Sequence, residues 1–174
     1  IGGTSLYGCW NADWSAEKAS VMKEEKKPKL YRDFTTYIRK VLSEYKEDEY
    51  KICAMLWVQG EADSNVAKNG PQPAETYGMN LKSLINAVRK NMGIKDLPFM
   101  MLQVGSGKVM KGMQETAKTM KNVSFIPQSK DPESPAYLPG YGPPTGHYNY
   151  EGMKRIGTQF ADTFLREYSK STTK

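Results

Sequence analysis

The chain contains one histidine, His147, set in the stretch Gly142-Pro143-Pro144-Thr145-Gly146-His147-Tyr148-Asn149-Tyr150-Glu151-Gly152. An imidazole titrates near neutral pH, and at a loop-to-helix junction it is well placed to act as a general base. The groups best suited to gather around it lie far upstream, in Trp57-Val58-Gln59-Gly60-Glu61-Ala62-Asp63. A carboxamide such as Gln59 can donate to a developing oxyanion. A carboxylate such as Glu61 can orient an imidazole and stabilise its protonated form. Near the start, Gly2 and Gly3 let backbone N–H groups come close to a ligand, as an oxyanion hole requires. Each group also has a plainer reading. Glu61 would cap backbone amides in a polar turn, Gly2-Gly3 would be an ordinary turn, and His147 would be a hydrogen-bonded loop histidine.

Two other patterns carry no chemistry. Gly105-Ser106-Gly107-Lys108 resembles a phosphate loop, but the distal glycine would fall at Leu102 and Val109 replaces Ser/Thr. Ser106 also fails the nucleophile-elbow pattern, because Val104 stands where that pattern needs a glycine.

Positioning these groups falls to an alternating series of elements. Residues 1–27 read as irregular. Pro28 opens a helix whose apolar stripe is Leu30, Phe34, Tyr37, Ile38, Val41, Leu42 and Tyr45. Tyr50 to Val58 is dense in apolar residues, as a strand covered on both faces would be. Residues 59–73 read as a polar loop. Tyr77, Leu81, Leu84, Ile85, Val88 and Met92 mark a second helix that stops at Gly93. Leu97 to Val104 is another buried strand, and Val109, Met110, Met113, Ala117 and Met120 mark a third helix. Asn122 to Pro127 is a third strand. A proline-rich loop, residues 128–146, leads to a last helix with Met153, Ile156, Phe160, Phe164, Leu165 and Tyr168 on its stripe. Asn149 is placed to cap that helix, and Gly152 and Gly157 would let it pack closely. The order α-β-α-β-α-β-loop-α predicts right-handed crossovers and a parallel sheet flanked by helices. In such sheets functional groups collect at the carboxyl ends of the strands, where both the Gln59 turn and the His147 loop fall.

A length of 174 residues suits one domain, residues 1–174, with a real core. No apolar run is long enough to cross a bilayer. The start at Ile1 has no charged region or apolar h-region and no methionine, so a leader or a longer N-terminal region is expected to have been removed. Cys9 and Cys53 define no disulfide framework, and Cys53 reads as a buried free thiol. One histidine and two isolated cysteines make a zinc site improbable. The net charge of +6 comes from scattered lysines with one cluster, Lys23 to Lys29, read as a solvated face and not as a nucleic-acid surface.

Taken together, Gly2-Gly3-Thr4-Ser5-Leu6, Trp57-Val58-Gln59-Gly60-Glu61-Ala62-Asp63, and Gly146-His147-Tyr148-Asn149 with Gly152 and Gly157 resemble the SGNH-type carbohydrate esterases. Within them the sialate O-acetylesterase and acetylxylan esterase group is the most similar. The Trp-x-Gln-Gly-Glu-x-Asp element is the specific one, and the resemblance runs from residue 1 to about 168. It implies a three-layer α/β/α sandwich with a parallel, flavodoxin-like sheet. It further implies hydrolysis of acetyl esters on sugars through a serine acyl-enzyme, with His147 as general base. The Gly3 N–H and the Gln59 amide, with Gly2 beside them, would hold the oxyanion. No metal or organic cofactor is required. The partner is an acetylated carbohydrate, with no nucleic acid or membrane, and the resemblance favours a secreted or periplasmic location.

The chain departs from the family in two places. The nucleophile of the family sits in a Gly-Gln-Ser-Asn block on the first strand, which this chain lacks. Many relatives place an aspartate three residues before the histidine, where Pro144 stands here. Glu61 then becomes the candidate acid, with Asp131 and Glu133 behind it. The chain is therefore expected to be the C-terminal two-thirds of an esterase domain missing its first strand or strands, or one part of a two-chain assembly. Alone it should have little hydrolase activity. The alternative is a non-catalytic carbohydrate-binding module on the same scaffold, with Trp10, Trp14, Tyr137, Tyr141 and Tyr148 free to stack on sugars. Trp14, Tyr141 and Tyr148 are the expected substrate contacts. A third reading, a flavodoxin-like fold for a phosphorylated ligand or nucleic acid, has no phosphate-cradling loop to support it.

Overall fold

Apolar residues recurring at helical spacing build four long helices, α2 (Leu30–Leu42), α6 (Tyr77–Met92), α7 (Gly107–Thr119) and α8 (Tyr150–Glu167). Short helices α1 (Ala16–Val21), α3 (Glu61–Ser64), α4 (Val66–Asn69) and α5 (Gln72–Glu75) lie between them. The strands are β1 (Met55–Trp57), β2 (Phe99–Leu102) and β3 (Val123–Ile126). This computed structural model describes residues 2–105, 107–142 and 146–169. Ser106 and Pro144, both singled out in the sequence, lie outside the described residues.

The three strands form one parallel sheet in the order β1-β2-β3, with Met55 opposite Phe99 and Phe99 opposite Val123. Successive side chains of β2 point to opposite faces, and both faces are buried. Phe99 and Met101 pack with Trp57, Tyr77, Leu81, Ile85, Val109 and Met113, a core shared with α2, α6 and α7. Met100 and Leu102 pack with Ile126, Ile156 and Phe160 under α8. Helices on both faces of a parallel sheet make the expected α/β/α layering. Arg89 of α6 adds a polar clamp that the sequence did not reveal. Its guanidinium donates to the carbonyls of Leu97, Lys121 and Asn122, fixing the chain as it enters β2 and β3.

Several sequence expectations are corrected. β1 is short and stands first in the sheet among the described residues, and one of its faces is open: Leu56 is 50% exposed and Val58 is exposed beside it. Cys53, which precedes the strand, is likewise exposed, whereas Cys9 is the buried thiol. Burial, reinforced by a hydrogen bond with Glu24 and its charge, pushes the Cys9 thiol up to about 12. Residues 59–73 are not a plain loop, since they hold α3, α4 and the start of α5, and α1 interrupts the irregular N-terminal stretch. Tyr37, Tyr45, Met153 and Leu165 flank their stripes and stay exposed. The Lys23 to Lys29 cluster is not wholly a solvated face, because Glu24 within it is buried.

The ends of α6 and α8 follow sequence chemistry. Gly93 closes α6 in the left-handed conformation, its N–H reaching the Arg89 and Lys90 carbonyls. The Asn149 side chain accepts the Gly152 N–H at 2.9 Å, an N-cap. The two α8 glycines then part company. A Cβ on Gly152 would fall 2.1 Å from the Pro139 carbonyl oxygen, whereas one on Gly157 would meet nothing within 4 Å. Gly152→Ala should therefore destabilise the fold by about 1–3 kcal/mol, a backbone overlap that cannot be relieved by a rotamer change. Gly157→Ala should stabilise it by about 0.5–1 kcal/mol through helix propensity alone. Urea unfolding of the two variants checks the opposite signs.

Candidate active site

The turn after β1 is built around two aromatic side chains. Trp57 stacks edge-on against Trp10, with ring centroids 5.3 Å apart, and its indole N–H donates to the Tyr77 hydroxyl at 3.2 Å. The Tyr77 hydroxyl in turn donates to the Gln59 carbonyl at 2.6 Å. Tyr77 is fully buried, and that burial raises its phenol well above the ordinary value, so it serves as a fixed donor. Gly60 follows with φ of 154°, and a Cβ there would lie 2.7 Å from Val104 Cγ2. Only glycine fits this reversal into α3.

Two buried carboxylates hold the N-terminal segment against this turn. Asp63 is 0% exposed and accepts from the Leu6 N–H at 2.9 Å, the Tyr7 N–H at 2.9 Å and the Gln59 amide at 2.7 Å. Burial raises its carboxyl to about 6, and these three hydrogen bonds hold the rise back. Glu24 is 1% exposed and accepts from the Ser5 N–H at 3.0 Å, the Ser5 hydroxyl at 2.8 Å and the Cys9 N–H at 2.9 Å. Neither carboxylate was assigned a role from the sequence. Asp63 stands four residues after Gln59, across the glycine reversal at Gly60 that brings the two side chains together. Glu24 lies in a run of charges and gave no signal.

The Gln59 amide donates one hydrogen to Asp63 and the other to the Thr4 carbonyl at 3.1 Å. It thus ties the Gly2–Thr4 segment to the end of β1. Gly3 has φ of 64°, and its N–H has no partner among the described residues. Glu61 opens α3, and its carboxylate accepts the Gly60 N–H at 3.1 Å.

His147 reaches the same place from the other end of the chain. Its carbonyl accepts the Tyr141 N–H at 2.8 Å, and Gly140 bridges to Tyr148, which folds the loop back before α8. The imidazole is exposed and has no hydrogen-bond partner among the described residues. Gly2, Gly3, Gln59, Glu61 and His147 all line one cavity of about 640 Å³, along the open side of β1. A second cavity of about 460 Å³ shares Glu61 and His147 with it and extends to Tyr148 over the ends of β2 and β3.

Not every candidate arrives there. Trp14 and Tyr141 line neither cavity, and the Lys29 ammonium sits 3.6 Å from the centre of a Trp14 ring. Trp10 and Trp57 are the aromatic residues that line the first cavity. Asp131 and Glu133 are exposed and line neither cavity, and the Asp131 carboxylate accepts the Glu133 N–H at 3.1 Å. Among the described residues no serine lines the first cavity, and Ser129 alone lines the second. Its hydroxyl accepts the Asp131 N–H at 3.0 Å. With an exposed imidazole, an exposed carboxylate and backbone donors around one space, the cavity is equipped for proton transfer and oxyanion stabilisation.

Comparison with known proteins identifies the family of the chain. The family model described as carbohydrate esterase, sialic acid-specific acetylesterase, matches residues 1–166. A crystal structure of an Arabidopsis thaliana protein is similar in fold, with a TM-score of 0.64 and 22% identity. The match covers 85% of this chain and 57% of that one, so the chain spans little more than half of its structural relative. No curated protein matches the chain.

Proposed function

We propose that this chain, which belongs to the sialic acid-specific acetylesterase family of carbohydrate esterases, contributes the base and oxyanion side of a site that removes acetyl groups from sugars. The observation that carries this reading is the meeting of His147, Glu61, Gln59 and Gly3 around one cavity. The nucleophile is a serine outside this chain. Its hydroxyl passes its proton to the His147 imidazole while its oxygen attacks the acetyl carbonyl carbon. The Gly3 N–H holds the resulting oxyanion, joined by the Gln59 amide once it releases the Thr4 carbonyl. The carbon–oxygen bond to the sugar then breaks, and the imidazolium returns its proton to the departing sugar oxygen. Water, deprotonated by the same imidazole, attacks the acyl-serine; the bond to the serine oxygen breaks, the imidazolium returns the proton to that oxygen, and acetate leaves. Glu61 stabilises the imidazolium from across the cavity. The mechanism calls for no metal and no organic cofactor.

The absence of a serine from the first cavity's lining among the described residues favours a second reading, a carbohydrate-binding module that performs no chemistry. A serine-reactive fluorophosphonate probe separates the two. This chain alone should remain unlabelled. A protein extended on the N-terminal side of Ile1 should be labelled at a serine in the added segment, and His147→Ala should suppress the labelling. Label on Ser129 would overturn the assignment of the nucleophile, and no label on the extended protein would favour the binding module.

A further inference from the structure

Each parallel strand runs out into a glutamine. Gln59 lies two residues beyond β1, Gln103 directly follows β2, and Gln128 lies two residues beyond β3. All three carboxamides therefore stand at the carboxyl edge of the sheet, where ligands bind in open parallel sheets. Both hydrogens of the Gln59 amide are engaged, with Thr4 and Asp63, and this side chain belongs to the oxyanion side of the site. The other two are only partly used.

Gln103 and Gln128 clasp each other. The Gln128 backbone N–H donates to Gln103 Oε1 at 3.2 Å, and the Gln128 amide donates to the Gln103 carbonyl. The second hydrogen of that amide goes to the Tyr148 hydroxyl oxygen at 2.6 Å. The clasp joins the exits of β2 and β3, and it leaves a defined remainder. Gln103 keeps its amide Nε2 donors, Gln128 keeps its Oε1 acceptor, and Tyr148 keeps its hydroxyl proton, none with a partner among the described residues. A purely structural clasp would not need an amide at position 103, since a glutamate oxygen would accept the same N–H. Burial and the nearby Glu61 charge raise the Tyr148 phenol above its ordinary value, so it remains a donor at neutral pH.

These groups line the 460 Å³ cavity that shares His147 and Glu61 with the first one. That volume lies within the range of small-molecule sites, about 300–1,000 Å³. Neutral donors and acceptors held rigidly by one another suit neighbouring hydroxyl groups, each of which both donates and accepts. Lys130 and Glu61 also line this cavity, but the clasped groups at the ends of β2 and β3 are uncharged and match hydroxyls.

We propose that Gln103, Gln128 and Tyr148 form the sugar subsite, gripping ring hydroxyls so that the acetyl ester lies at His147. The assignment rests on the esterase reading for its orientation, and the sugar binding itself stands on the cavity. The test uses the full chain, with side-chain amide signals followed by NMR. Two probes are titrated: a mono-O-acetylated methyl xyloside, and cyclohexyl acetate, which has the ring and ester but no hydroxyls. The xyloside should shift the Gln103 and Gln128 amide signals and bind about tenfold more tightly, roughly the worth of one or two hydrogen bonds. Gln103→Glu keeps the clasp and removes the free donor, so it should erase that preference while the Gln128 signals of the free protein stay in place. Tyr148→Phe should weaken the preference. Equal affinity for the two probes, no shift with either, or a preference that survives both Gln103→Glu and Tyr148→Phe would overturn the subsite. Sugar preference without acetate release by an extended protein would remove the esterase reading and leave the subsite standing. Acetate release without sugar preference would do the reverse.

Discussion

Asp63→Ala is expected to destabilise the fold by about 3–5 kcal/mol, because it strands three donors in the interior, each worth about 1–3 kcal/mol. The Leu6 and Tyr7 amides and one Gln59 hydrogen would lose their acceptor together. Asp63→Asn keeps the shape and one acceptor oxygen and should lose less. The pH dependence has a definite sign. Burial raises the Asp63 carboxyl from 3.8 to about 6, so the folded state holds this proton more tightly than the unfolded one. Its contribution to stability is fully present below 3.8 and is lost as pH rises through about 6. Relative to Asp63→Asn, the native protein should therefore gain stability as pH falls from 7 towards 4. Urea unfolding of both proteins across that range is the check, and parallel profiles would contradict the account.

His147→Ala is expected to lower acetyl-ester hydrolysis by the N-terminally extended protein by about 10³–10⁶-fold, the range seen when the base of a serine–histidine pair is removed. The loss should fall on kcat, with KM little changed, since the imidazole acts on the reacting atoms and not on the sugar. Stability should move by no more than about 0.5 kcal/mol, as for exposed side chains free of hydrogen bonds. Acetate release and thermal unfolding measured on the same preparation separate lost chemistry from lost fold. A fall in activity matched by a fall in stability would count against a catalytic base.

The parts of the fold legible in the sequence are those whose burial is set locally. In α6 the stripe from Tyr77 to Val88 faces the sheet and Gly93 ends the helix, so period and punctuation suffice. β2 is central and buried along its length, and its apolar run says so. β1 misled because Leu56 and Val58 are apolar yet stand on a face left open among the described residues, and what covers a face is set by elements that no local pattern records. Glu24 misled for the opposite reason. A carboxylate in a charged run looks solvated until Ser5 and Cys9 fold over it. For the site, the rule that parallel sheets gather function at strand ends was enough to bring Gln59, Glu61 and His147 to one place. Choosing among aromatics was not possible in the same way. Trp10 reaches the cavity by packing on Trp57, while Trp14 turns to Lys29, and both look alike in the sequence.

The most direct test of the site is a double-mutant cycle on acetate release from an O-acetylated sugar, using the extended protein with His147→Ala, Glu61→Gln and both together. Groups that act as one unit are not additive. If imidazole and carboxylate work in the same cavity, the double variant should be no slower than His147→Ala alone. Independent, multiplying losses, or full activity without the imidazole, would contradict it.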